Sequence, residues 1–114
     1  MALSEIEQAR ITKRLIAYCA ARIPARIRNQ IRLGLRISGH HVVLFEERPA
    51  FRPPHAWQEL PVAKFTFVRT RNVWRLLCQH RDLRWHEYQR MPTARRFDTL
   101  LQEVDSDPTG IFFG

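Results

Sequence analysis

Apolar residues recur along this chain at two different periods, first the helical one and then the alternation of strands. Ser4 followed by Glu7 has the spacing of a capping box, which places a helix start near Glu5. Thr12, Leu15, Ile16, Cys19 and Ile23 then form a stripe at helical spacing, flanked by Ala9 and Ala20, and predict the core face. Arg10, Lys13 and Arg14 fall on the other side beside Ala17 and Ala21, and Pro24 ends the helix.

From Ile31 the period changes to two. Ile31, Leu33, Leu35 and Ile37 share one face of a predicted strand, and Arg32, Gly34 and Arg36 share the other. A two-residue turn at Gly39-His40 returns the chain into Val42 to Arg48. It pairs Ile37 with Val42, Leu35 with Leu44 and Arg32 with Glu47, and sets Phe45 across the bare backbone of Gly34. Pro49 to Gln58 holds three prolines, Pro49, Pro53 and Pro54, and predicts a rigid connecting loop. Ala63, Phe65 and Phe67 alternate with Lys64, Thr66 and Val68. After a turn at Arg69 to Asn72, Trp74, Leu76 and Cys78 return on the apolar side with Arg75, Leu77 and Gln79 behind them. A turn at Arg81-Asp82 leads into a strand from Leu83 to Tyr88, with Trp85 predicted on the core side and Arg84, His86 and Tyr88 facing away.

Phe97, Leu100, Leu101 and Val104 mark a short amphipathic helix, which Asp107-Pro108-Thr109-Gly110 stops. The pattern predicts one α+β domain spanning residues 1–114: a helix, an antiparallel meander of about five strands and a second helix. Two helices with one apolar stripe each suit one face of the sheet. The opposite face is then expected to carry Arg32, Arg36, Lys64, Arg75, Arg84, His86 and Tyr88, an assignment that one slip of register reverses for a whole strand.

Composition sharpens this picture mainly through charge. The net charge is +8, and no acid lies between Glu7 and Glu46, an interval that holds eight of the nineteen basic residues. The remaining eleven basic residues are balanced by eleven acids. A one-sided field of this kind attracts polyanions, nucleic acid first. No apolar run approaches the roughly 20 residues that cross a bilayer, and the first residues do not form a secretory signal, so no membrane association and a cytoplasmic location are expected. Cys19 and Cys78 set no disulfide framework and are expected to be buried and reduced.

Candidate chemistry is sparse. Glu46 with Glu59, Glu87 or Asp82 would be the acids of a small metal-dependent phosphodiesterase or nuclease, but no spacing among them is specific. Cross-strand pairing of Glu47 with Arg32, and of Glu46 with another Arg, accounts for two of these acids without catalysis. Cys78, His80 and His86 have a spacing that fits none of the usual zinc sites. No catalytic residue, metal or cofactor is assigned. The better constellation is Arg32, Arg36, Arg75 and Arg84 with Lys64 and Arg14 for phosphates, and His86 and Tyr88 for stacking on bases. It predicts a nucleic-acid-binding protein, with RNA or single strands before duplex DNA. The alternatives are a module for an acidic protein or ribosome surface, and the nuclease.

Three segments also resemble a known family. Leu44-Phe45-Glu46-Glu47-Arg48-Pro49, Leu83 to Tyr88 and Glu103 to Gly114 are similar to those of a bacterial family of small proteins, domain of unknown function 3024. The resemblance runs over nearly the whole chain, with Phe113 standing where members often carry Trp. It implies a bacterial, single-domain protein and no particular activity. The tail Ile111-Phe112-Phe113 is expected to fold back onto the domain, because apolar residues at a chain end fray into water unless packed.

Overall fold

The structure is a computed structural model and describes residues 2–114. Helix α1 spans Glu5–Arg22 and opens on the capping box: Ser4 Oγ accepts the Glu7 N–H at 3.1 Å, and Glu7 Oε1 accepts that of Ser4 at 2.8 Å. After a short 3-10 turn, Ala25–Ile27, come β1 (Arg32–Ser38), β2 (His41–Pro49), β3 (Trp57–Val68), β4 (Val73–Gln79), β5 (Trp85–Glu87), β6 (Thr93–Ala94) and α2 (Phe97–Ser106). The architecture is α+β. The strands form one antiparallel sheet in the order β1-β2-β3-β4-β5, and the short β6 pairs with β4 beside β5.

The β1–β2 hairpin has the register its turn dictates. Ile37 pairs with Val42, Leu35 with Leu44, Gly34 with Phe45 and Arg32 with Glu47. Gly39 takes the left-handed conformation (φ 62°) that a glycine adopts without steric cost.

The predicted loop from Pro49 to Gln58 is shorter than expected. Strand β2 continues to Pro49 and β3 begins at Trp57, with Pro61 inside it. Pro61 is tolerated because β4 pairs β3 only over Lys64 to Val68, so this half of β3 has a free edge. Phe45 opposes Pro61 while Leu44 opposes Ala63, so Val62 is an extra residue in a bulge. The bulge explains why Val62 and Ala63 are both buried although they are sequence neighbours.

Both helices cover the same sheet face and run parallel. Arg14 of α1 bonds Asp98 near the start of α2, and Tyr18 and Arg22 both bond Asp105 near its end. The core between helices and sheet contains Leu15, Leu44, Phe65, Leu76, Leu100, Leu101 and Val104, all essentially inaccessible. Each such side chain contributes roughly 1.5–3 kcal/mol of transfer free energy.

The core face of α1 is rotated from the predicted stripe. Ile11, Leu15 and Tyr18 are buried, whereas Ile16 is 57% exposed and Thr12 and Cys19 are half-buried. The cause is α2, which lies alongside and draws Tyr18 inward, where its hydroxyl meets Asp105 at 2.9 Å. The second predicted stripe, Phe97, Leu100, Leu101 and Val104, is buried as expected. Cys78 is buried and Cys19 only half so, and burial raises the pKa of both thiols. Among the described residues, no helix is long and apolar enough to cross a membrane.

The tail does fold back. Asp107 ends α2 in the left-handed conformation (φ 45°), and Phe112 is buried against Tyr88, ring centroids 4.9 Å apart. Ile111 stays exposed, and Phe113 lies under the Arg22 guanidinium at 3.9 Å.

Candidate functional site

The sheet face opposite the helices is uncovered, and parity decides what it carries. Arg32, Gly34 and Arg36 of β1 point there with their β2 partners Glu47, Phe45 and Val43. Glu59, Pro61, Lys64 and Thr66 follow from β3, Arg75 and Leu77 from β4, and Glu87 from β5. Four of the predicted phosphate ligands, Arg32, Arg36, Lys64 and Arg75, therefore share one face.

The aromatic partners on this face are different residues from those expected. The Arg32 guanidinium lies 3.6 Å from the Trp57 ring centroid, Arg36 lies 5.1 Å from Phe45, and the Lys64 ammonium lies 5.9 Å from Trp85. Contacts of this geometry are worth about 0.5–1 kcal/mol each at exposed positions. They are not confined to the face, since Arg22 over Phe113 and Arg69 over Phe67 make the same contact elsewhere.

Carboxylates temper the charge. Arg36 donates from one nitrogen to both oxygens of Glu59, at 2.7 and 2.8 Å, and Arg75 lies 3.8 Å from Glu87. Arg32 stands opposite Glu47 in register, but its guanidinium packs on Trp57. Glu46 pairs with Arg48 at 3.1 Å. Beneath the charges, the buried Thr66 hydroxyl meets His41 Nδ1 at 2.9 Å. The His41 pKa is pushed down, first by burial and then by Lys64 and His40, which favours the neutral ring at pH 7.

His86 and Tyr88 are not on this face, and Trp85 is. The turn before β5 contains three residues, Arg81, Asp82 and Leu83, rather than Arg81-Asp82 alone. The Leu83 N–H bonds the His80 carbonyl, Leu83 takes a left-handed φ of 63°, and the His80 N–H bonds the Arg84 carbonyl. Cys78 then pairs with His86 and Gln79 with Trp85, which reverses the parity of the strand. Tyr88 is buried, with its hydroxyl donating to Glu103 Oε2 at 2.6 Å, so it has no free ring face for a base. Arg84, on the parity of His86, is exposed at the loop end. Arg14 belongs to the helix layer, where it pairs with Asp98 at 2.8 Å.

The reversal gathers a second cluster on the helix side. His80 and His86 stack at 3.9 Å, His80 Nε2 lies 3.6 Å from Cys78 Sγ, and His86 Nε2 meets Asp82 Oδ2 at 2.8 Å. The bonds from the Arg84 N–H and from His86 lower the Asp82 pKa. Cys78, His80 and His86 line a cavity of about 340 Å³ with Tyr88, Arg90 and Ile111. The acids weighed for metal-dependent hydrolysis are separated: Glu46 faces the helix side beside Tyr18 and Asp105, whereas Glu59 and Glu87 are on the open face.

Sequence reasoning missed Trp57 and Trp85. Trp57 has the parity of Glu59 and Pro61, so it was within reach once the strand was extended past the prolines. Trp85 depended on the turn length, for which Leu83 carries no sequence signal. No curated protein matches the chain, and no solved structure does. The family model for a domain of unknown function (DUF3024) matches residues 3–114, and the chain belongs to that family.

Proposed function

We propose that the open sheet face binds single-stranded nucleic acid, RNA foremost. The observation that supports this most is the placement of three cations over three aromatic rings on one uncovered face: Arg32 with Trp57, Arg36 with Phe45, and Lys64 with Trp85. The Trp57 and Trp85 rings, which are not buried, give bases a stacking platform that is indifferent to sequence. The buried Phe45 only seats Arg36, and guanidinium forks match phosphate oxygens. Arg75 extends the cationic row. Its pairing with Glu87, and that of Arg36 with Glu59, is solvent-exposed and therefore weak enough for phosphate to displace. The chain's net charge of +8 adds a long-range field that steers a polyanion to it. A bacterial cytoplasm, where two unpaired thiols are ordinary, is the setting we assign.

The test is fluorescence anisotropy with a labelled single-stranded oligonucleotide over a salt series. If the four cations each neutralise one phosphate, the slope of log affinity against log salt is about −3. Arg32→Glu with Arg36→Glu is expected to lower affinity at least tenfold while the protein stays folded, its melting temperature reduced by the like charges then facing Glu47 and Glu59. Equal binding by the double variant, or no binding by the native protein at low salt, overturns the proposal.

A further inference from the structure

Beyond Glu47, the last β2 residue paired with β1, strands β2 and β3 continue as a two-stranded arm. Arg48 pairs with Gln58 and Pro49 with Trp57, and the Ala50 N–H bonds the Ala56 carbonyl at 2.8 Å. The tip is held by the His55 N–H on the Arg52 carbonyl at 3.0 Å and by His55 Nδ1 donating to the Ala50 carbonyl at 2.9 Å. Pro49, Pro53 and Pro54 restrict its backbone further. At this tip Phe51 is 95% exposed, so it contributes nothing to the core.

A single exposed apolar side chain needs no ligand to account for it. The company of Phe51 is what distinguishes it. Residues 50–57 contain Arg52 and His55 and no acid, unlike the sheet face, where carboxylates sit among the cations. No hydrogen bond or ion pair holds the Arg52 side chain among the described residues. The arm is also continuous with the candidate interface, because Trp57 at its base carries the Arg32 guanidinium. Like charge opposes pairing of two such arms from copies of this chain.

We infer that Phe51 stacks into the bases of the bound nucleic-acid strand while Arg52 neutralises an adjacent phosphate, an inference that rests on the nucleic-acid reading above. An apolar wedge beside a cation is a recurrent way to hold bases. The hydrogen bonds of the tip fix the backbone that carries Phe51 before the strand arrives, which lowers the ordering cost of binding.

The experiment compares native protein, Phe51→Ala, Phe51→Trp and the Arg32→Glu/Arg36→Glu variant on a single-stranded oligonucleotide carrying one 5-iodouracil. It reads affinity by anisotropy and the photo-crosslinked residue by mass spectrometry. Phe51→Ala is expected to bind about tenfold more weakly with an unchanged melting temperature, and Phe51→Trp to bind as the native protein does. Crosslinks are expected at Phe51. Equal affinity of Phe51→Ala, with crosslinks elsewhere and Arg32→Glu/Arg36→Glu still weak, removes the arm from the interface and leaves the face. No binding by the native protein removes both. If Phe51→Ala instead turns a dimer into a monomer in sedimentation velocity, the tip is a protein contact and the inference is overturned.

Discussion

Asp107 holds Phe112 through its side chain: Oδ1 accepts the Phe112 backbone N–H at 3.0 Å, while Oδ2 accepts those of Phe113 and Gly114 at 2.9 and 3.2 Å. Its left-handed backbone turns the chain at the end of α2 so that the carboxylate faces the returning tail. Asp107→Ala removes both acceptor oxygens, and with them all three hydrogen bonds, and leaves at φ 45° a residue without the short polar side chain that makes this conformation tolerable. Hydrogen bonds to charged groups contribute about 1.5–3 kcal/mol each in favourable cases. The variant is expected to melt roughly 5–15 °C lower, with Asp107→Asn intermediate. Deleting residues 111–114 should lower the melting temperature similarly, by loss of Phe112 burial. An unchanged melting curve for the deletion would refute the staple.

Tyr88 and Glu103 form a second joint. The Glu103 side chain is only 10% exposed and is served by the Tyr88 hydroxyl and by Arg90 at 3.1 Å. Tyr88→Phe keeps the ring against Phe112 but leaves a nearly buried carboxylate with one partner. Denaturant unfolding should show a loss of about 1–3 kcal/mol. A loss below a few tenths would mean that water replaces the hydroxyl freely.

Glu7 makes stability depend on acid. Bonds from Arg69 and from the Ser4 N–H lower its pKa from the usual carboxylate value to about 2. Because the folded pKa is depressed, the stabilisation is present above about pH 4.5 and is lost as pH falls toward 2. The melting temperatures of native protein and Glu7→Gln should therefore differ at pH 6, with the gap shrinking below about pH 4.5 and closing as pH falls through 2. A gap that stays the same from pH 6 down to pH 2 would contradict this assignment.

Gly34 is where the candidate interface tests its own packing. A Cβ placed on it would stand 2.7 Å from two Phe45 ring atoms, and Phe45 is buried. Replacing a strand glycine by alanine ordinarily stabilises by roughly 0.5–1 kcal/mol. Here the ring has to move, so Gly34→Ala is expected to lower the melting temperature and to disturb Arg36 above Phe45. A higher melting temperature would show that the ring yields easily.

What the sequence determined by itself is the part governed by neighbours along the chain. The Gly39-His40 turn sets the β1–β2 register residue by residue, because a two-residue loop admits one pairing. The spacing of Phe97, Leu100, Leu101 and Val104 leaves α2 one apolar side to bury. The same logic placed Arg32, Arg36, Lys64 and Arg75 together. Tertiary structure decided the rest. Helix α1 has apolar residues on two adjacent stripes, and the position of α2, through Asp105 and Tyr18, selected Ile11, Leu15 and Tyr18 over Ile16. At β5 a single left-handed leucine, Leu83, held by bonds between His80 and Arg84, added one residue to a turn. Since side chains alternate across a strand, that one residue exchanged Trp85 for His86 and Tyr88 on the open face.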